Sequence, residues 1–338
     1  MKLDVCICTH SPRRPVFRRV LQSLASQTLP RDQFHVWIID NKSQPPLDEG
    51  DLLPLKKAGV SYTLLTEPRL GNVFAREKAI ASTTGEWIVF VDDDNELADD
   101  YLQTVVEIAK ANPHLGCFGG KLLLAPDLAV SDWMLPLLPY LAIKDLGDEV
   151  ISNCASEWGR WEPPTAGAAV RRPVLNLYLD NLKRFKESAR LGRKGKKGLL
   201  SAEDSLMMRG AFSLNLHCAY QPRLKLWHHI DPNRLNFRYF LRLLYNYGRS
   251  YVILERSLGK QVEPANKKYL ARLLTNFPKS REKACKLAWE WGYFVESRAN
   301  RTVPSPVKIP AAPDPLPIVI QKNPELASSP AVDPAVKP

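Results

Sequence analysis

Three consecutive aspartates, Asp92-Asp93-Asp94, directly follow the uncharged run Trp87-Ile88-Val89-Phe90-Val91. The run is rich in β-branched and aromatic residues and reads as a buried strand. Three carboxylates at a strand's end repel one another unless a cation sits among them. Oxygen ligands with open positions suit Mg²⁺ or Mn²⁺, ions that usually also hold substrate phosphates. A solvated acidic loop would account for the same residues without a metal, as would Asp94 or Asn95 capping a helix that starts near Asp99.

Such a cluster can act only where a frame holds it. The first 125 residues alternate strand and helix patterns: strands over 3–8, 35–40, 61–66, 87–91 and 117–124, and helices over 15–26, 47–58, 72–81 and 99–111. In the first helix Val16, Val20, Leu21 and Leu24 recur at helical spacing, and Pro15 suits its first turn. The alternation predicts an α/β fold with a mostly parallel sheet flanked by helices. Ligands of such sheets bind outside the carboxyl ends of strands. Thr9 and Arg13 fall there after the first strand, Asp40 after the second, and Asp92–94 after the fourth. Residues 126–235 read as less regular, an added subdomain over the sheet's rim. Helices are expected over 235–258, 267–276 and 279–299. Residues 303–338 hold ten prolines and no aromatics, which predicts a disordered, partly extended tail. The expected units are therefore 1–125, 126–235, 236–300 and 301–338.

With 338 residues, 45% hydrophobic and 25% charged, the composition is that of an ordinary globular protein. Lys2 and Asp4 put charge where a secretion signal would be apolar. The uncharged stretch 133–143 is broken by Pro136 and Pro139 and is far shorter than the ~20 residues of a spanning helix. Cys6 and Cys8 lie two apart on a strand and face one side, which suits reduced core thiols. A cytoplasmic location is expected. Net charge is +11, concentrated in 183–197, where eight basic residues meet one acid, Glu187. That run suits a solvated loop, a phosphate-binding patch or a contact with anionic lipid.

Six segments stand in one order. They are Val5-Cys6-Ile7-Cys8-Thr9-His10-Ser11-Pro12-Arg13; Ile38-Ile39-Asp40-Asn41-Lys42-Ser43; Gly71-Asn72-Val73-Phe74-Ala75-Arg76-Glu77-Lys78-Ala79; Asp92-Asp93-Asp94; Glu203-Asp204; and Trp227-His228-His229-Ile230-Asp231-Pro232-Asn233-Arg234-Leu235. In that order they resemble the family 2 glycosyltransferases, with the nucleotide-sugar-binding fold called GT-A, over roughly residues 3–255. The first is similar to the family's opening Pro-Thr-Tyr-Asn-Arg-type loop, with Cys8, His10 and Ser11 as departures. The third is similar to a G-x-x-x-A-R-N-x-G segment, with Glu77 and Ala79 departing. The aspartate triplet takes the place of a metal-binding D-x-D.

The resemblance implies roles. Asp94 would ligate Mn²⁺ or Mg²⁺ together with His228 or His229. Asp92 would face the ribose, with Asp93 beside it. Asp40 would read the base, and Thr9, Arg13 and Arg76 would hold base or diphosphate. Asp204 would be the catalytic base that takes the acceptor's proton, and with no second carboxylate as nucleophile the reaction would be a single displacement with inversion. The segment Thr165-Ala166-Gly167-Ala168-Ala169-Val170-Arg171 resembles the strand that passes under sugar and acceptor; Trp158 and Trp161 could stack on a sugar or fill the core. A nucleotide-sugar donor (a UDP-sugar) and a saccharide or lipid-linked acceptor are expected, with a peripheral contact to anionic membrane at the inner face of the cell membrane through 133–141 and the basic run.

Each residue has a plainer reading: Asp40 or Asp204 as a helix cap, Arg13 and Arg76 as surface charges, the histidines as packing beside Trp227. A nucleotidyltransferase of similar fold would carry a glycine-rich basic loop after the first strand, where Thr9-His10-Ser11-Pro12-Arg13-Arg14 has no glycine. A catalytically inactive relative would have lost Asp94 and Asp204. No known nucleic-acid module occurs, so nucleic acid is not an expected partner.

Overall fold

The computed structural model describes residues 1–154, 159, 161–195 and 198–299. Four parallel strands open the chain: β1 (Leu3–Thr9), β2 (Phe34–Asp40), β3 (Tyr62–Thr66) and β4 (Trp87–Val91). The intervening helices are α1 (Arg14–Ala25), α2 (Leu53–Ala58) and α3 (Asn72–Ser82). Each residue of β4 is buried, as a strand covered on both faces requires. Then follow β5 (Asn95–Leu97), α4 (Tyr101–Ala111), β6 (Leu115–Leu124), a 3-10 segment over Asp132–Leu141, β7 (Ile151–Asn153) and β8 (Ala169–Arg171). Helices α5 (Arg172–Arg184), α6 (Glu203–Met208) and α7 (Gly210–Ser213) precede β9 (His217–His228), and α8 (Phe237–Ser257), α9 (Lys267–Thr275) and α10 (Arg281–Ser297) close the described chain.

The strands form one nine-stranded sheet in the order β3-β2-β1-β4-β8-β6-β9-β5, with β7 also on β9. β8 runs antiparallel between β4 and β6, and β9 lies parallel to β6. Residues 126–235 thus contribute strands to the middle of the sheet, where the sequence pattern suggested a layer over its rim. Their short apolar pieces hid this because β9 spans 12 residues yet contains Gln221, Pro222 and Arg223, which break the alternation.

Alternate side chains along β1 feed two cores. Leu3, Val5 and Ile7 join α1, α2 and α4 on one face, and Cys6 joins α3, α5 and α6 on the other. A third cluster packs Met134, Leu137, Leu138 and Leu141 against Phe240, Leu243 and Leu244 of α8. Helices α8 and α10 meet backbone to backbone at two glycines. A methyl group on Gly292 would lie 1.8 Å from the Tyr245 carbonyl oxygen, and one on Gly248 would lie 2.0 Å from that of Trp289. Only glycine permits this approach.

Two local differences follow from side-chain chemistry. Helix α2 covers only the end of the expected 47–58 span, because Asp40 accepts the Leu47 amide and Asp48 accepts those of Gly50 and Asp51, which fixes a turn instead. Asp94 and Asn95 cap no helix: Asn95 starts β5, and α4 begins after Asp100. The expected tail, 303–338, lies outside the described residues.

Candidate active site

The carboxyl ends of β1 and β4 open onto a cleft of about 1050 Å³. Its wall includes Asp92, Asp93 and Asp94, then His228, Arg193 and Arg234, then Arg76, Glu203 and Asp204, and beyond them Tyr140–Leu146 and 162–166. Sheet register brings the first two groups together. β5 and β9 pair antiparallel with Asn95 opposite His228, so Asp94 sits beside the end of β9. His228 Nε2 lies 3.3 Å from Asp94 Oδ2, Arg234 Nη1 lies 3.8 Å from the same oxygen, and the His229 amide donates to the Asp94 carbonyl at 2.8 Å.

The three aspartates differ electrostatically. Burial opposes charge on Asp94, yet His228, Arg234 and Arg13 hold its carboxyl well below the usual range. Burial and the neighbouring Asp94 charge push Asp93 up to about 7, although Thr9 Oγ1 donates to it. Burial raises Asp92 as well. Asp94 is therefore the member of the triplet best held as an anion.

On the wall of the same cleft, α6 starts after Ala202, which sits in the left-handed region at φ +73°. That turn places Glu203 and Asp204 in the helix's first turn, and neither is its cap. Glu203 is buried against Arg76, with Nη1 to Oε1 at 2.5 Å, and Arg76 Nη2 donates to Thr165 Oγ1 at 2.5 Å. This ion pair ties α3 to α6 and to the segment before β8. Breaking a buried pair costs about 3–5 kcal/mol, because one charge is left without its partner. Asp204 faces the cleft and accepts only the amide of Ser205 among the described side-chain bonds. Burial, and next the Glu203 charge, push its carboxyl up to about 6.

Not every expected residue joins this cleft. Asp40 is 3% exposed, and its two oxygens accept the amides of Ser43 and Leu47, so it organises its own loop. Thr9 braces Asp93, and Arg13 donates to the His229 carbonyl; each acts through another residue and neither lines the cleft. The His229 ring is turned from Asp94: Nε2 meets Glu96 Oε2 at 2.7 Å and Nδ1 lies 3.9 Å from Asp127. Neighbouring residues at a strand end project to opposite sides, which separates His228 from His229. Trp158 lies outside the described residues. Trp161 packs against the core formed with α3, α5 and α6.

The apolar stretch 133–141, expected as a membrane-facing rim, instead turns Met134, Leu137 and Leu138 inward, and Trp133 meets Phe237 and Phe240 edge-on. No helix among the described residues is long and apolar enough to cross a membrane.

Arg193 and Arg234 were not singled out from sequence. Arg193 was lost within the basic run 183–197, where Lys183 and Arg184 are exposed and Arg190 pairs with Glu187 and Glu296. Arg193 reaches the cleft because the Asn72 amide donates to its carbonyl at 3.1 Å, which docks the loop on the start of α3. Arg234 stood within the His228-His229 segment, which was the available signal.

Among the described residues no three His, Cys, Asp or Glu side chains converge as a metal site. Asp94 and His228 supply two donors, an oxygen and a nitrogen, on an open cleft. That donor set fits an ion that takes its remaining ligands from substrate phosphates and water, as Mg²⁺ and Mn²⁺ do.

A mostly parallel sheet thus carries an acidic strand end and an acidic helix start on the wall of one cleft. Residues 4–122 match the family described as Glycosyl transferase family 2. The succinoglycan biosynthesis protein ExoM of Rhizobium meliloti (strain 1021) is 24% identical over an alignment covering 77% of each chain. Among solved structures, S. aureus TarS 1-349 in complex with UDP has 16% identity over 82% of this chain and 76% of that one, with a TM-score of 0.46. The mannosyltransferase PcManGT from Pyrobaculum calidifontis, in complex with GDP-Man and Mn²⁺, has 16% identity over 86% and 69%, with a TM-score of 0.47.

Proposed function

We propose that this chain transfers a sugar from a nucleoside-diphosphate donor, a UDP-sugar in the first instance, to a hydroxyl of a saccharide or lipid-linked acceptor, by single displacement with inversion. The observation that carries this reading is a single cleft lined by Asp94 with His228 and by Asp204. Asp94 and His228 would hold Mn²⁺ or Mg²⁺, which would supply positive charge to offset the leaving diphosphate. Arg193 and Arg234 face the same space and bring two further cations to it. Asp204 takes the proton of the acceptor hydroxyl. The freed oxygen attacks the anomeric carbon, the bond from that carbon to the diphosphate oxygen breaks, and the electron pair leaves with the nucleotide. One base opposite the leaving group gives inversion. Arg76 and Glu203 act by position, since their ion pair fixes the turn that presents Asp204. The relative named for succinoglycan biosynthesis makes a growing polysaccharide the acceptor class to test. All six cysteines are free, which suits a reducing cytoplasm.

The deciding experiment is thermal denaturation with UDP and GDP, each with Mn²⁺ and with EDTA. UDP should raise the melting temperature only with Mn²⁺, and Asp94→Ala should remove the rise. Equal stabilisation in EDTA would overturn the metal assignment. A response to GDP alone would replace the donor.

A further inference from the structure

The two most exposed large apolar side chains of the described structure lie close together in sequence. Phe277 is 84% exposed and Leu274 is 61% exposed. Leu274 belongs to the last turn of α9, and Phe277 follows in the link to α10. Helix α9 buries only Leu273 fully, so it contributes little to the core and presents most of its surface to solvent. Helical spacing sets Leu274 beside Leu270 and Lys267. Scattered single apolar residues on a surface mean little, but here the two most exposed ones lie three positions apart at one corner between helices.

The charge around this corner is one-sided. Between residues 266 and 283, Lys267, Lys268 and Arg272 on the helix and Lys279, Arg281 and Lys283 after it face a single acid, Glu282. Of the six, Arg272 is held by Glu290. Arg281 lies 5.5 Å over the ring of Trp133 and 5.9 Å over that of Phe237. Trp133 lies near the start of the 3-10 segment whose far end, Pro139 to Leu141, lines the active-site cleft. The same segment leaves Leu135 52% exposed. The basic corner and the far wall of the cleft are therefore joined through one short, apolar, proline-stiffened segment.

We infer that the α9–α10 corner docks on an anionic lipid bilayer, with Leu274 and Phe277 entering the headgroup–acyl boundary and the lysines and arginines around them lying on acidic headgroups. The match is of two kinds at once. Basic side chains gain from the negative surface potential, and an apolar tip among them gains from burial that a purely polar polyanion does not offer. Docking there would hold the cleft wall at 139–141 near the membrane plane. This assignment is independent of the roles given to Asp94 and Asp204, because it is read from binding and not from turnover.

The test is flotation of the full chain with vesicles of phosphatidylcholine alone and of phosphatidylcholine mixed with phosphatidylglycerol. The chain should float with the mixed vesicles, stay behind with the neutral ones, and be released by high salt. Leu274→Ser with Phe277→Ser should lower the bound fraction roughly tenfold at unchanged net charge. Both positions are exposed, so the melting temperature should not move, which separates lost docking from lost folding. Lys267→Glu with Lys268→Glu should weaken binding on mixed vesicles by a similar factor. Absence of flotation at low salt would overturn the proposal, as would equal binding to neutral vesicles. If the Leu274–Phe277 variant bound as the parent does while both proteins were retained equally on single-stranded DNA, the charge would belong to nucleic acid instead.

Discussion

Asp204→Asn separates a catalytic carboxylate from a structural one, because the two roles move stability in opposite directions. In the folded chain burial and Glu203 raise the Asp204 carboxyl from its ordinary 3.8 to about 6. The folded state therefore holds that proton about a hundredfold more tightly than the unfolded chain, equivalent to about 3 kcal/mol. The cleft is open to water, so screening leaves roughly 1–2 kcal/mol. Since the folded state binds the proton better, this contribution favours folding below the unfolded value near 4 and is lost as pH rises towards 6. Asparagine keeps the shape and carries no charge at any pH. At pH 7 Asp204→Asn should thus melt a few degrees higher than the parent, and the gain should vanish near pH 4. Transfer should meanwhile fall by about 10²–10⁴-fold, the usual worth of general-base assistance. In the parent, kcat/KM should climb about tenfold per pH unit until near pH 6 and then level off, while UDP binding by the variant stays intact. The assays are calorimetry across pH and initial rates of sugar transfer. A variant that kept most of its turnover, or one that melted lower at pH 7, would falsify the assignment.

Three further outcomes follow from the same geometry. His228→Ala should abolish Mn²⁺-dependent stabilisation by UDP, whereas His229→Ala should leave it and lose the contacts with Glu96 and Asp127; equal effects in a thermal-shift assay would mean that both rings serve the ion. Arg193→Gln should raise the donor KM or lower kcat by roughly tenfold or more, with Arg193→Lys recovering part of the loss, because a cation facing a diphosphate acts largely by charge; unchanged kinetics would return Arg193 to the solvated loop. Gly292→Ala should destabilise the chain by about 1–3 kcal/mol or more in urea unfolding, since the added methyl meets the Tyr245 carbonyl at 1.8 Å and the helices must part; a neutral result would show that α8 and α10 cross less closely.

What the sequence disclosed, and what it withheld, follows from the range of the interactions involved. Strand β4 and the helices of the first half were legible because their apolar spacing is a local property, and β4 matches its expected bounds. The middle of the sheet was not. β8 has three residues and exists because both its neighbours, β4 and β6, pair with it. Only the resemblance of 165–171 to a family strand pointed to it, since no local pattern announces a strand so short. The site divides along the same line. The aspartate triplet and Asp204 were visible as residue types, but the partition of roles was not. Asp40 looked like a free acid at a strand's end, yet its carboxylate is consumed by two amides of the loop that follows. His228 and His229 are equivalent in sequence, and only the pairing of β5 with β9 aims one ring at Asp94 and leaves the other to Glu96. Arg193 carries this furthest. In sequence it is one cation in a run of eight, and its place in the cleft depends on a backbone bond to Asn72, far away in the chain. Lys183, Arg184, Arg190 and Lys194 do not line the cleft, so the property that matters at this position is where the loop docks. The density of positive charge along the run says little about which cation meets the substrate.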